Sequence, residues 1–454
     1  MMRMKKTLAA VLALMMLLTV GGTAGAEQET RKIETAADAD EWAVIFLGEH
    51  PEDLDGAWLM TPQMETAAAQ LGGMKGMAGS LAALGTAEKI YPAYEAEIQG
   101  YRAFHIPCRF TGQSVDLVLV TDQGAIAGMQ VGAFTGEEEE STGSDAFDSI
   151  ELALPVPVLN GELPGTLTIP KGDGPFPVVI LVHGSGTSDR DEAVMSLKPF
   201  RDLAEGLAER GIAVYRYDKR SYVYGVEMMN DRQITPEDET IDDAVTAVQI
   251  LAQQERIDPS RIYVLGHSLG GNMIPAIDRT LKEQPVQACG YIMMAASPRP
   301  LDVLMREQYE FLYSLMPEIT EEQQAERDAV FAELDRLQDP DALTDEDTVM
   351  GVHAPYWKWL AAYDALEAAK EITLPVLLLQ GEEDYQVTMT DFGIWQEALG
   401  EKENWKMISY PGLTHPFTPG QKAEGSDVYS REAKVDSGVM DDIAAFVAGT
   451  EANP

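Results

Sequence analysis

Cysteine is nearly absent. Cys108 and Cys289 are the two in 454 residues. Two thiols cannot build the disulfide framework of a small secreted scaffold or a four-cysteine zinc site. They fall in segments read below as different domains and are expected to be isolated, buried thiols rather than a disulfide. Basic residues are scarce as well: Lys and Arg total 33 against 75 Asp and Glu, a net charge of −42. Such a field repels nucleic acid, anionic membranes and acidic substrates, and solubility outside the cell is its simplest use. No Cys/His cluster has metal-ligand spacing and no phosphate-binding glycine loop occurs, so neither a metal nor another cofactor is implied.

Long apolar runs are also missing. The segment Met1–Lys6 carries Arg3, Lys5 and Lys6, an apolar run follows from Leu8 to Val20, and Ala24-Gly25-Ala26 has the small residues of a cleavage site. The run is shorter than the ~20 apolar residues of a membrane span. The expectation is a signal peptide over residues 1–26 and a secreted or extracytoplasmic protein without stable membrane insertion. Loss of the three bases would bring the net charge to −45.

What is present centres on Gly266-His267-Ser268-Leu269-Gly270. The β-branched, apolar run Arg261–Leu265 precedes it and a helix-like segment from Gly271 to Leu281 follows. Strand, G-x-S-x-G, helix is the context of a nucleophile elbow. A serine hydroxyl is a poor nucleophile and must project from a tight turn toward a histidine base. Glycines two residues either side let strand and helix approach without Cβ clashes.

On this arrangement the acid comes just past a later strand and the histidine nearer the C-terminus. Leu374–Gly381 reads as a short buried strand, and Glu382-Glu383-Asp384 follows it. The next strand, Trp405–Tyr410, leads into Pro411-Gly412-Leu413-Thr414-His415. Of the histidines, His50, His105, His183, His267, His353 and His415, only the last lies beyond the acid. Asp384 is the expected acid, with Glu382 and Glu383 competing, and His415 the expected base. Pro177–Val182 is an uncharged strand, followed by His183-Gly184-Ser185-Gly186, whose small residues leave backbone N–H groups exposed to a developing oxyanion. The expected donors are the N–H groups of Ser185 and Leu269. His183 is expected to brace this loop and not to act as the base.

Together, His183-Gly184-Ser185-Gly186, Ser188-Asp189-Arg190-Asp191, Tyr217-Asp218-Lys219-Arg220, Gly266–Gly271, Gly381–Val387 and Pro411–His415 resemble the α/β-hydrolase family. They are similar to its branch of secreted bacterial esterases and serine-aminopeptidase-like hydrolases. The resemblance covers about residues 150–450. It implies Ser268 as nucleophile, Asp384 as acid and His415 as base. One departure is that Ser221 follows Arg220 where many relatives have glycine.

The implied fold class is α/β, an α/β-hydrolase fold with a mostly parallel sheet, helices on both faces and a helical cap, preceded by a small α+β domain. That domain is expected over residues 30–135, with helices Ala39–Leu47 and Met64–Leu84, strands Glu88–Tyr94, Tyr101–Phe110, Ser114–Thr121 and Ile126–Val131, and a turn at Thr111-Gly112-Gln113. Residues 136–149, with Glu137–Glu140, read as an acidic linker. The hydrolase domain spans 150–450 and opens with an antiparallel hairpin of Ile150–Val158 and Gly161–Ile169. Alternation of strand and helix stops over about 298–372, where Leu301, Leu304, Met305, Gln308, Leu312 and Leu315 recur at helical spacing: the expected cap. Tyr356 and Trp357, with Trp359 and Tyr363, are candidates for a wall of the acyl pocket or for packing of cap on core.

The expected function is hydrolysis of small carboxylic esters of short to medium acyl chains through an acyl-enzyme on Ser268. The alternatives are an aminopeptidase-like serine peptidase, with Glu307, Glu310 or Glu318 as carboxylates for a substrate amine, an acyl-thioester hydrolase, and a non-catalytic binding protein. The sequence sets no oligomeric state.

Overall fold

The computed structural model describes residues 30–98, 101–110, 114–134, 144–156, 161–316 and 319–449. The expected signal peptide, the turn at Thr111-Gly112-Gln113, residues 136–143 of the expected linker and Glu318 lie outside them. Among the described residues no helix is long and apolar enough to cross a membrane, and no group of three His, Cys, Asp or Glu is placed to hold a metal. One compact unit takes in the residues before 140 together with Val194–Ser196. The other takes in residues 140–193 and 197–454.

In the first unit, Thr35 and Asp38 form a capping box that opens helix Ala36–Phe46, worth about 1 kcal/mol. Ala39, Trp42, Ala43 and Phe46 recur at helical spacing and are buried with Phe104, Ile106, Cys108, Leu117 and Leu119 of an antiparallel sheet. The helix expected over Met64–Leu84 is two, Pro62–Gln70 and Gly73–Ser80, because Gly72 and Gly73 turn the chain at φ 88° and 78°. The strand expected over Glu88–Tyr94 also divides, into Ala87–Ile90 and Tyr94–Ile98, with Pro92 between them unable to donate to a ladder. Both cysteines are free thiols. Cys108 is buried, which pushes its thiol up to about 12, but Cys289 is only half-buried, contrary to expectation.

The second unit is built on a sheet of β1 (Phe147–Glu151), β2 (Gly165–Pro170), β3 (Phe176–Val182), β4 (Ala213–Tyr217), β5 (Ile257–His267), β6 (Gly290–Met294), β7 (Val376–Gly381) and β8 (Trp405–Tyr410), in spatial order β8-β7-β6-β5-β3-β4-β2-β1. Strands β3 to β8 run parallel, while β1 and β2 are antiparallel to their neighbours. The near-continuous apolar sequences of β3, β6 and β7 follow from burial on both faces. Each buried Val, Ile or Leu contributes about 1.5–3 kcal/mol. The opening hairpin differs from expectation. Phe147–Ser149, read as linker, already pair in β1, and β1 partners β2, while Leu154–Val156 and Gly161–Leu163 form a separate small pair.

Helix α1 (Pro199–Ala208) packs Phe200, Leu203 and Leu207 on one face of the sheet. Helices α2 (Asp242–Leu251) and α3 (Leu269–Leu281) pack Val245, Val248, Met273 and Ile277 on the other. Between β6 and β7 lies the cap, with α4 (Leu301–Ser314), α5 (Glu321–Asp335) and α6 (Ala354–Ala362). Val330, Leu334, Leu337, Val349 and Trp357 give it a core of its own. Helix α7 (Met389–Leu399) buries Trp395 beside α3's layer, and α8 (Ser437–Ala448) buries Val439 and Ile443 beside α1. The loops that follow β3, β5, β7 and β8 all leave the C-terminal edge of the parallel strands, where ligands of open α/β sheets bind.

Candidate active site

Strand β5 ends at His267 and α3 begins at Leu269. Between them Ser268 has φ 53° and ψ −118°. A non-glycine residue in that region costs about 1–3 kcal/mol and needs surroundings that enforce it. Here the Ser268 N–H donates to Met294 O at 2.9 Å and its carbonyl accepts from Asn272 N–H at 3.0 Å. The flanking glycines are compelled by close approach. A Cβ on Gly266 would sit 2.2 Å from Gly270 O, and one on Gly270 2.3 Å from Val182 O. The sequence pattern is thus the steric signature of a strand and helix meeting at a point.

His415 Nδ1 stands 2.6 Å from Asp384 Oδ2, and both side chains are buried. The carboxylate is fixed by three further donors: Gln386 N–H at 2.7 Å and Val387 N–H at 3.0 Å on Oδ1, and Gln380 Nε2 at 3.2 Å on Oδ2. With Nδ1–H donated to Asp384, Nε2 keeps its lone pair as a base. The competing carboxylates are occupied elsewhere. Glu382 accepts from Ser409 Oγ at 2.8 Å and Glu383 from Lys422 N–H at 3.1 Å.

The loop after β3 lies against the serine: a Cβ on Gly184 would be 3.0 Å from Ser268 Cβ and 3.5 Å from its Oγ. Ser185 follows on the exposed part of this loop. Leu269 opens α3, so its N–H is one of the unpaired donors at the positive end of the helix.

Two buried groups here escaped the sequence reading. Glu192, ahead of α1, accepts the Gly184 N–H on Oε1 at 2.8 Å and faces His267 Nδ1 with Oε2 at 2.8 Å. The Nε2–H of His267 donates to the carbonyl of His415 at 3.1 Å. Burial alone would lower His267, but Glu192 outweighs it and holds the imidazole above its ordinary value. Burial would likewise raise Glu192, but His267 and His183 hold it below the usual carboxylate range. This ion pair ties the loops of β3, β5 and β8 together. Its only sequence signal is a histidine beside the nucleophile.

His183 donates Nε2–H to Asp189 O at 2.9 Å and so braces the loop. Burial pushes it down to about 4, with Lys219 adding to the effect and Glu192 opposing it. Unfolded, His183 takes a proton near 6.5. As pH falls from that value toward 4 the unfolded chain therefore binds more protons, and stability is lost across this window and not above it. The loss attributable to His183 is about 3 kcal/mol. Urea unfolding at about pH 7.5 and about pH 4.5 should show the wild type losing roughly 2–3 kcal/mol more than His183→Gln. Equal losses in the two proteins would refute the assignment.

The aromatic residues of the cap are placed differently from the pocket expectation. Trp357 is 5 % exposed within the cap core, its indole N–H donating to Val349 O at 3.0 Å. The small cavity it lines with Pro300, Leu301, Leu337 and Pro340 includes none of Ser268, Asp384 and His415. Tyr356 turns its hydroxyl to Glu239 Oε2 at 2.8 Å. Trp359 and Tyr363 pack against the sheet's core layer. An expected acyl wall at Trp357 is therefore corrected: its indole is satisfied inside the cap. The aromatic rings beside the acid are others. Phe311 of α4 stacks on Tyr385 at 5.3 Å between centroids, and Tyr429 lies 6.2 Å beyond.

Residues 174–418 match the family model described as serine aminopeptidase, S33. The chain is 37 % identical over 359 residues to esterase EstD of Thermotoga maritima, covering 78 % of this chain and 82 % of that protein. It is 24 % identical over 265 residues to the bifunctional esterase/perhydrolase DCH of Acinetobacter calcoaceticus, covering 55 % and 88 %. Among solved structures, Est1E from Butyrivibrio proteoclasticus aligns with a TM-score of 0.40 at 16 % identity, covering 62 % of this chain and 96 % of that one.

Proposed function

Because the chain belongs to the serine aminopeptidase, S33 family of α/β-hydrolases, we propose that it is a serine hydrolase cleaving carboxylic esters of short to medium acyl chains, exported by its N-terminal segment. The observation that carries the reading is the 2.6 Å bond from His415 to Asp384 at the edge of the sheet where Ser268 holds its positive φ. The 37 % identity to an esterase sets the substrate class.

The chemistry follows from the residues. His415 Nε2 takes the Ser268 proton as Oγ bonds to the ester carbonyl carbon, and the carbonyl oxygen becomes an oxyanion facing the N–H groups of Ser185 and Leu269. Collapse breaks the carbon–oxygen bond to the leaving group, which departs as an alcohol with the proton from His415. Water then gives a proton to His415 and attacks the acyl carbon. Loss of Ser268 Oγ, reprotonated by His415, releases the acid. Asp384 holds the imidazole and stabilises its charged form.

Gln308 of α4 donates to Gln386 O at 3.1 Å and Phe311 stacks on Tyr385, so the cap sits down on the acid loop, which supports a preference for shorter acyl groups. The aminopeptidase alternative requires a carboxylate free for the substrate amine. Of its candidates Glu307 is engaged, both its oxygens accepting from Arg299 at 2.6 and 2.9 Å, while Glu310 is exposed on α4. Nitrophenyl esters of graded length and aminoacyl nitroanilides, assayed with the same preparation, test the reading. The ester should be preferred, with kcat/KM highest at short to medium acyl groups. A preference for the aminoacyl amide would overturn it.

A further inference from the structure

Lys219 follows β4 and is 2 % exposed. A buried ammonium must find acceptors for its N–H bonds. Nζ donates to Gly184 O at 2.8 Å and to Gly186 O at 2.9 Å, and faces Glu239 Oε1 at 3.4 Å. Glu239 stands in a π-turn, Glu237–Ile241, just before α2, and its other oxygen accepts the Tyr356 hydroxyl of the cap. Gly184 is therefore gripped on both sides. Its N–H meets the Glu192 carboxylate and its C=O the Lys219 ammonium.

Peptide planarity gives this grip a consequence. The C=O of Gly184 and the N–H of Ser185 share one peptide plane and, when trans, point in opposite directions. Drawing the oxygen to the buried lysine turns the Ser185 N–H away from it. A positive charge on the carbonyl also polarises the amide and strengthens its N–H as a donor. Stability alone is a weak reason for the arrangement, since a buried ion pair is often replaceable by apolar residues without loss.

We propose that Lys219 is a positioning residue for acyl transfer: its ammonium sets the Gly184–Ser185 peptide so that the Ser185 N–H meets the oxyanion, and Glu239 with Tyr356 links that peptide to the cap. The proposal rests on the ester-hydrolase reading of Ser268 and Ser185.

The test compares Lys219→Met and the charge-balanced Lys219→Met/Glu239→Gln with wild type on a nitrophenyl ester. Functional sites are counted by the end-point of fluorophosphonate labelling, and binding of a trifluoromethyl ketone reports the tetrahedral adduct. In the double variant kcat per labelled site should fall about 10²-fold, with KM changed less than about threefold, and ketone affinity should fall in proportion to kcat/KM. A purely structural role would reduce the number of labelled sites and leave kcat per site unchanged. That result overturns the proposal, as does a double variant giving no labelled protein or one with undiminished ketone affinity. Failure of the underlying reading is separable: it would show in wild type, as a label on a residue other than Ser268.

Discussion

Replacing Ser268 by alanine is expected to lower kcat by about 10⁴–10⁶ and to leave the fold intact. The chemical loss is complete because the other parts of the site act through this oxygen. In the proposed mechanism His415, held by Asp384, receives the Ser268 proton, and the loop of Gly184 lies against Oγ. The fold should survive because alanine keeps the Cβ that packs on that loop, and the backbone bonds enforcing φ 53° involve only the N–H and carbonyl of residue 268. Circular dichroism and thermal unfolding should match wild type within a few degrees, about the shift of 1 kcal/mol. In wild type a fluorophosphonate should label Ser268. A variant with a tenth of wild-type activity, or a label on Ser185, would place the nucleophile elsewhere.

Much of this site was legible in the sequence because its geometry is enforced by steric rules that leave marks in composition. Gly266 and Gly270 are glycines because another side chain would strike Gly270 O or Val182 O. His415 could be isolated by elimination because histidine is scarce. The acid was narrowed in the sequence to Glu382, Glu383 and Asp384, with Asp384 expected, and the bond of Asp384 to His415 is what separates it from its two neighbours. What stayed hidden depends on pairing across the sheet. Nothing local to Glu192 shows that it meets His267, 75 positions on, because only the parallel neighbours β3 and β5 bring their loops together. Glu239 is likewise unremarkable in an acidic chain, and Lys219, though part of Tyr217-Asp218-Lys219-Arg220, shows no partner until the loop after β3 supplies the carbonyls it binds. Boundaries were lost where one residue outweighed a periodic pattern, as Gly72 and Gly73 do within the helix expected over Met64–Leu84. Trp357 stayed open between pocket wall and packing because an aromatic residue at the end of a cap looks the same in sequence whether it faces substrate or the cap's own core.

Asp384→Asn should be nearly as damaging as loss of the nucleophile, with kcat falling about 10⁴-fold. The reason lies in how the amide must sit. Oδ1 of Asp384 accepts two backbone N–H groups, from Gln386 and Val387, and neither donor can be reversed. An asparagine will therefore place its carbonyl oxygen there and its NH₂ at the position of Oδ2, facing His415 Nδ1 and the amide of Gln380. An NH₂ facing Nδ1 forces that nitrogen to accept, so the proton moves to Nε2 and His415 can no longer take one from Ser268. The same placement sets the new NH₂ against the Gln380 donor, so some loss of stability should accompany the loss of activity. Glu382→Gln and Glu383→Gln make the same chemical change two and one residues away, where the partners are Ser409 and the Lys422 N–H, and both should keep kcat within a few-fold of wild type. Measuring kcat and the rate of fluorophosphonate labelling for the three variants decides the matter. Either glutamine variant as impaired as Asp384→Asn would mean that the acid orienting His415 is shared, and that the 2.6 Å bond is not the one that matters in turnover.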